Sequence, residues 1–76
     1  MAYRPTEQQL RTLEFISAFI GDWGYAPTAK EIADAFGFDG HSAIQKQLTR
    51  LEDHGYIRRG RTIGGRVIQR SIRVIK

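Results

Sequence analysis

Residues 28–55 read TAKEIADAFGFDGHSAIQKQLTRLEDHG, and the rest of the chain is organised around them as two short helices joined by a tight glycine-containing turn. Thr28-Ala29-Lys30-Glu31 is a capping box, in which the threonine hydroxyl and a glutamate three residues later satisfy the first orphan amides of a helix. Pro27 precedes it. Ile32, Ala33 and Phe36 recur on one face, and Gly37 follows as a residue able to take the left-handed conformation that closes a helix. The turn is Gly37-Phe38-Asp39-Gly40. Phe38 is expected to plug the angle between the helices, with Asp39 or Gly40 placed to cap the second one. Ile44, Leu48 and Leu51 then follow at i, i+4 and i+7 as a buried stripe, and Gly55 ends the pattern. The spacing predicts helices over about residues 29–36 and 41–54, a helix-turn-helix.

Opposite the stripe lie Ser42, Lys46, Thr49 and Asp53, with Gln45 and Arg50 on the flanks and Ala43 near the helix start. On composition alone an ordinary solvated surface accounts for this face equally well. The order of residue types favours a second reading. Small and hydrogen-bonding side chains stand at the N-terminal end, where a recognition helix meets base edges, and cations follow.

Seventy-six residues make one domain, and a chain this short buries only about 60% of the surface its unfolded form exposes. With 41% hydrophobic and 26% charged residues the composition is globular. The chain has no cysteine, which removes disulfides and thiolate zinc sites from consideration. No apolar run approaches the ~20 residues of a membrane span, and the N-terminus lacks a signal-peptide pattern. The expectation is a soluble cytoplasmic protein, associated with the nucleoid. Net charge is +4, unevenly spread: residues 1–38 hold three cations against five anions, and residues 39–76 nine cations against three. The basic half contains the second helix of the pair and everything after it, the polarity of a surface facing nucleic acid.

Residues 1–5 read as a short arm. Thr6-Glu7-Gln8-Gln9 is another capping box, with Leu10 available to pack back on Pro5, so a first helix is expected over about residues 7–22. Leu10, Leu13, Ile16 and Ile20 form its core stripe. Phe15 and Phe19 widen it to a second face, to be covered by a sheet or C-terminal segment. Trp23, in the following turn, is expected as a half-buried lid on the core.

After Gly55 the pattern changes to period two. Residues 56–63 and 66–75 flank Gly64-Gly65 and read as a β-hairpin. A two-residue turn there would pair Ile57 with Ile72, Arg59 with Arg70, Arg61 with Ile68 and Ile63 with Arg66. Like charges facing each other at Arg59 and Arg70 make most sense beside an anion. The expected fold class is α+β, mainly α: three helices plus a C-terminal β-hairpin wing, a winged helix-turn-helix in one domain.

These residues resemble the N-terminal DNA-binding domain of LexA-type repressors. The resemblance rests on Gln8-Gln9 in the first helix, Gly24-Tyr25-Ala26-Pro27-Thr28 before the second, Glu31-Ile32-Ala33, Gly37-Phe38, Leu48 and Leu51. Gly55-Tyr56-Ile57 then leads into the wing and Ser71-Ile72-Arg73-Val74 closes it. It implies a bacterial or phage transcriptional regulator that binds double-stranded DNA. Base edges would be read by the residues at the family's reading positions, here Ser42, Ala43, Gln45 and Lys46, with Gly40 at the start of the helix. Those positions lack the family's usual asparagine, alanines and paired glutamates, so the usual operator does not carry over. The wing also looks about four residues longer and richer in arginine than is typical. Family members continue into a self-cleaving serine-lysine domain that also dimerises. This chain stops before one, as an excised domain or a stand-alone relative would.

Enzymatic readings fare badly. His41 and His54 have no cysteine or carboxylate at zinc-ligand spacing, and Ser42 and Lys46 lack the desolvation and oxyanion site that a Ser-Lys pair needs. No glycine-rich phosphate loop precedes a helix. The expectation is a non-enzyme without metal, cofactor, small-molecule ligand or membrane association. Backbone contacts are assigned to Thr28, Gly40, His41, Thr49, Arg50, Arg59, Arg61, Arg66 and Arg70, with the wing on phosphates or in the minor groove. Gln45 offers adenine a paired donor and acceptor, and Lys46 donates to guanine. The isolated chain is expected to be a monomer that forms a homodimer, if at all, on a palindromic site. The alternatives are a winged helix used as a protein-interaction module, which leaves six arginines between Arg58 and Arg73 unexplained, and a sequence-blind nucleic-acid binder, which leaves Ser42 and Gln45 without a role.

Overall fold

The computed structural model describes residues 4–75, with the backbone alone at His41. The arm at residues 1–3 and the His41 side chain, expected near phosphate, lie outside that description. The elements run α1 (Glu7–Trp23), α2 (Ala29–Phe36), α3 (His41–Asp53), β1 (Ile57–Arg58) and β2 (Arg73–Val74).

Both expected capping boxes form. Thr6 Oγ1 accepts from Gln9 N at 3.2 Å while Gln9 Oε1 accepts from Thr6 N at 2.9 Å. Thr28 and Glu31 repeat the arrangement at 3.1 and 2.9 Å. α1 ends within one residue of the expected position. It runs to Trp23 and closes at Gly24, whose φ of 77° is open to glycine at no steric cost. At the start of α3, Gly40 is the N-cap at φ 92°, and no side chain caps the helix, so Asp39 does not serve there.

The core gathers Leu13 and Ile16 of α1, Ile32 and Ala33 of α2, and Ile44, Leu48 and Leu51 of α3, closed by Ile57 and Ile72 from the wing base. Phe15 meets Phe36 edge-on at a centroid distance of 5.6 Å, which ties α1 to α2. Two expected core members are elsewhere. Leu10 is 47% exposed, since six residues of helix place it about 120° round α1 from Ile16. The inward face there is carried by Gln9 and Thr12, and the Thr12 hydroxyl lies 2.6 Å from Gln47 Oε1 of α3. Trp23 is 62% exposed and no half-buried lid; its ring is tilted against those of Phe19 and Tyr25 at centroid distances of 6.1 and 6.5 Å.

The wing departs most from expectation. Ile57 pairs with Val74 and Arg58 with Arg73, two residues out from the expected register, while an isolated bridge joins Arg61 to Val67. The tip is a three-residue loop. Gly65 N donates to Thr62 O at 2.9 Å, Thr62 N donates to Arg66 O at 2.8 Å, and Gly65 sits at φ 87°. A left-handed glycine after a tight turn is the usual form of that loop, and it displaces the Gly64-Gly65 turn by one position. Below the tip, Ile68 N donates to Gly60 O at 2.9 Å. Between that contact and the base pair Arg58–Arg73, one side of the hairpin has Arg59 alone and the other has residues 69–72. The surplus bulges out at Arg70, a non-glycine residue at φ 59°, and Ser71 Oγ holds the bulge by accepting from Gly60 N at 2.9 Å. Arg59 therefore does not face Arg70, and Ile72 turns into the core instead of pairing with Ile57.

Candidate nucleic-acid interface

The outward face of α3 is as the sequence spacing requires: Ser42, Ala43, Gln45, Lys46, Thr49 and Arg50 are all exposed, with Ile44 and Leu48 buried behind them. The apolar side of the helix is buried in the core, and its polar side is exposed along one edge and braced along the other by Arg59. Gly40 is exposed at its start. Thr28 caps the start of α2, and both its hydroxyl and its amide are engaged with Glu31.

The four wing arginines assigned to phosphate are in four different situations. Arg59 is only 8% exposed and lies under α3. Its Nε donates to Glu52 Oε1 at 3.0 Å, NH1 to Gln45 Oε1 at 3.2 Å and NH2 to Thr49 Oγ1 at 3.2 Å. Its backbone N–H also donates to Glu52 Oε2, at 3.1 Å. A guanidinium so committed is a brace, buried too deeply to be the DNA-backbone contact expected of it. Arg61 is exposed but forms a two-bond pair with Glu52, at 2.7 and 2.9 Å. Arg70 reaches back to α2, where NH1 and NH2 donate to Glu31 at 2.9 and 3.2 Å, NH1 donates to Ala26 O at 3.1 Å, and the guanidinium carbon sits 4.7 Å from the Tyr25 ring centroid. Arg66 is exposed and, among the described residues, in no ion pair.

Two acids organise this surface. Glu52 is held down to about 2, chiefly by the Arg61 side chain, against the opposing effect of burial and with help from the Arg59 amide and guanidinium. Glu31 is lowered first by the Thr28 backbone amide and then by Arg70. Reading the sequence counted Glu52 only as charge. Its position seven residues after Gln45, with arginines seven and nine residues further on, was the available signal. Arg58 and Arg73, cross-strand partners that are both exposed, were also left out of the wing assignment.

A groove between the wing and the helix pair is lined by Thr28 and Gln45 from the helices and by Arg59, Val67, Gln69 and Arg70 from the wing. Gln45 of α3 and the return strand of the wing thus line a common concavity.

The family model described as the LexA DNA binding domain matches residues 4–63. Among similar curated proteins, the LexA repressor of Caldicellulosiruptor saccharolyticus is 46% identical over 54 residues, which is 71% of this chain and 27% of that protein. The LexA repressor of Clavibacter sepedonicus is 44% identical over 54 residues, 71% of this chain and 24% of that protein. That of Bacillus mycoides is 40% identical over 57 residues, 75% of this chain and 28% of that protein. The chain thus spans about a quarter of the length of these relatives. The family match ends at Ile63, the wing tip, so the bulged return strand with Arg66 and Arg70 lies beyond it.

Proposed function

The chain belongs to the family of LexA DNA-binding domains, and from that premise we propose that it binds duplex DNA in a sequence-specific manner as the DNA-reading part of a transcriptional repressor. In this reading α3 enters the major groove and meets base edges with Ser42, Ala43, Gln45 and Lys46. Gly40, Thr49 and Arg50 flank it on the phosphates. Arg66, joined by Arg61, carries the wing along the neighbouring backbone or into the minor groove, which adds affinity with little base information. The protein works where the chromosome is, in the cytoplasm, and two copies pair on a palindromic site.

The observation that carries this reading is the exposed polar face of α3, with no large apolar side chain between Ser42 and Arg50 except the buried Ile44 and Leu48. A protein-docking helix would present apolar anchors there. The test is selection of bound duplexes from a random pool. The expected result is an enriched motif of defined length and symmetry; recovery of duplexes without a common sequence would leave only charge-driven binding.

A further inference from the structure

The side chains of Gln45, Thr49 and Glu52 stand at i, i+4 and i+7 along α3, and one guanidinium, that of Arg59, bonds to all three. Arg59 belongs to the wing, emerging just after β1. A guanidinium has only donors, so the amide atom of Gln45 that faces it is the oxygen. Oε1 is thereby turned inward to the buried arginine, and Nε2, on the other arm of the same planar group, is turned away from it. Gln45 itself is exposed.

We infer that Arg59 is a positioning residue for base reading: by holding Gln45 Oε1 it fixes the amide so that Gln45 presents a hydrogen-bond donor to the major groove. This rests on the proposal that α3 reads bases. It changes what Gln45 recognises. A bidentate pair with adenine needs both the oxygen and the nitrogen turned to the base, whereas a donor alone pairs with an acceptor edge: N7 or O6 of guanine, N7 of adenine or O4 of thymine. It also gives the wing a part in specificity without touching a base. Glu52 anchors the arginine by accepting from both its Nε and its backbone amide, and Thr49 steadies the far end.

The test uses Gln45→Ala, Arg59→Met and Arg59→Lys, the last keeping the charge near Glu52 while a single ammonium cannot reach Gln45, Thr49 and Glu52 together. Without DNA, the side-chain amide protons of Gln45 are followed by NMR, and the backbone signals of the same spectrum report the fold. In the wild-type protein the Gln45 amide is expected to be as rigid as the backbone, and in both Arg59 variants as mobile as a surface glutamine. A mobile Gln45 amide in the wild type overturns the inference even if neither variant folds. On DNA, Gln45→Ala first identifies the base pair whose preference it relaxes. Both Arg59 variants are then expected to lower preference at that same pair by about two- to tenfold, the worth of one hydrogen bond, with nonspecific affinity within about twofold. Folded Arg59 variants that leave that preference unchanged overturn the inference and spare the base-reading proposal. A Gln45→Ala protein with unaltered preference at every position overturns both.

Discussion

Glu31, the third residue of α2, and Arg70, on the bulged return strand of the wing, are joined by two N–H···O bonds of 2.9 and 3.2 Å across 39 positions of sequence. The same carboxylate caps α2 through the Thr28 amide. The first helix of the helix-turn-helix is thereby tied to the return strand of the wing, as Arg59 ties the wing to α3.

Arg70 holds this position at φ 59°, where a side chain costs roughly 1 kcal/mol or more. Loss of the pair alone should cost little, because both side chains are well exposed and solvent screens the attraction. Arg70→Ala should lower stability modestly and speed hydrogen exchange in residues 66–72. Arg70→Gly should be the more stable of the two variants in urea unfolding, since glycine removes the backbone strain. An alanine variant at least as stable as the glycine one would show that the bulge is unstrained.

Acid should loosen the wing through Glu52. Its folded value of about 2 lies below that of an unfolded glutamate. A depressed carboxylate contributes stability that is fully present above the unfolded value and is lost as pH falls through the folded one. Stability should therefore drop between about pH 5 and pH 2. Glu52→Gln should be less stable at neutral pH and flatter across that window. A variant with the wild-type slope would place the acid sensitivity elsewhere.

Core contributions should follow burial and not hydrophobicity. Ile16→Ala, at a fully buried position, should cost about 2–5 kcal/mol. Leu10→Ala, at a position 47% exposed, should stay within about 1 kcal/mol in thermal or urea unfolding. Equal losses would mean that Leu10 is packed.

The contrast between those two aliphatic positions shows what the sequence made legible. Helix spans, both capping boxes, and the stripes of α2 and α3 follow from local rules, and they were readable because each signal lies within one or two turns. Leu10 was misplaced because Gln9 and Thr12 are polar, and their burial depends on Gln47 in another helix. The hairpin register failed for a similar reason. Alternation suggested a regular pairing, but Ile72 gains more by joining the core, which forces the surplus residues into a bulge at Arg70. The polar face of α3 was legible from spacing. The division of labour among the wing arginines was not, since it is set by Glu31 and Glu52 across long sequence separations.

Wing electrostatics follow from that division. For every arginine taken off a phosphate, the plot of log affinity against log salt should flatten by about 0.9. Arg66, in no ion pair among the described residues, should give nearly that change when replaced by alanine. Arg61 is already partly neutralised by Glu52, so Arg61→Ala should give less, and the double variant a reduction of roughly one to two units. Specific and nonspecific duplexes should weaken by similar factors. An unchanged slope in a folded double variant would leave α3 as the whole binding surface.

α3 meets the bases while the exposed arginines of the wing add affinity, and replacing Gln45 by alanine separates the two. Binding of wild-type and variant protein is measured, at one fixed salt concentration, to the selected site, to that site with each base pair changed in turn, and to a scrambled duplex. The variant should lose about 0.5–1.5 kcal/mol of discrimination at one or two base pairs while its affinity for the scrambled duplex stays as it was. Equal weakening on every duplex, with no base pair relaxed, would contradict it.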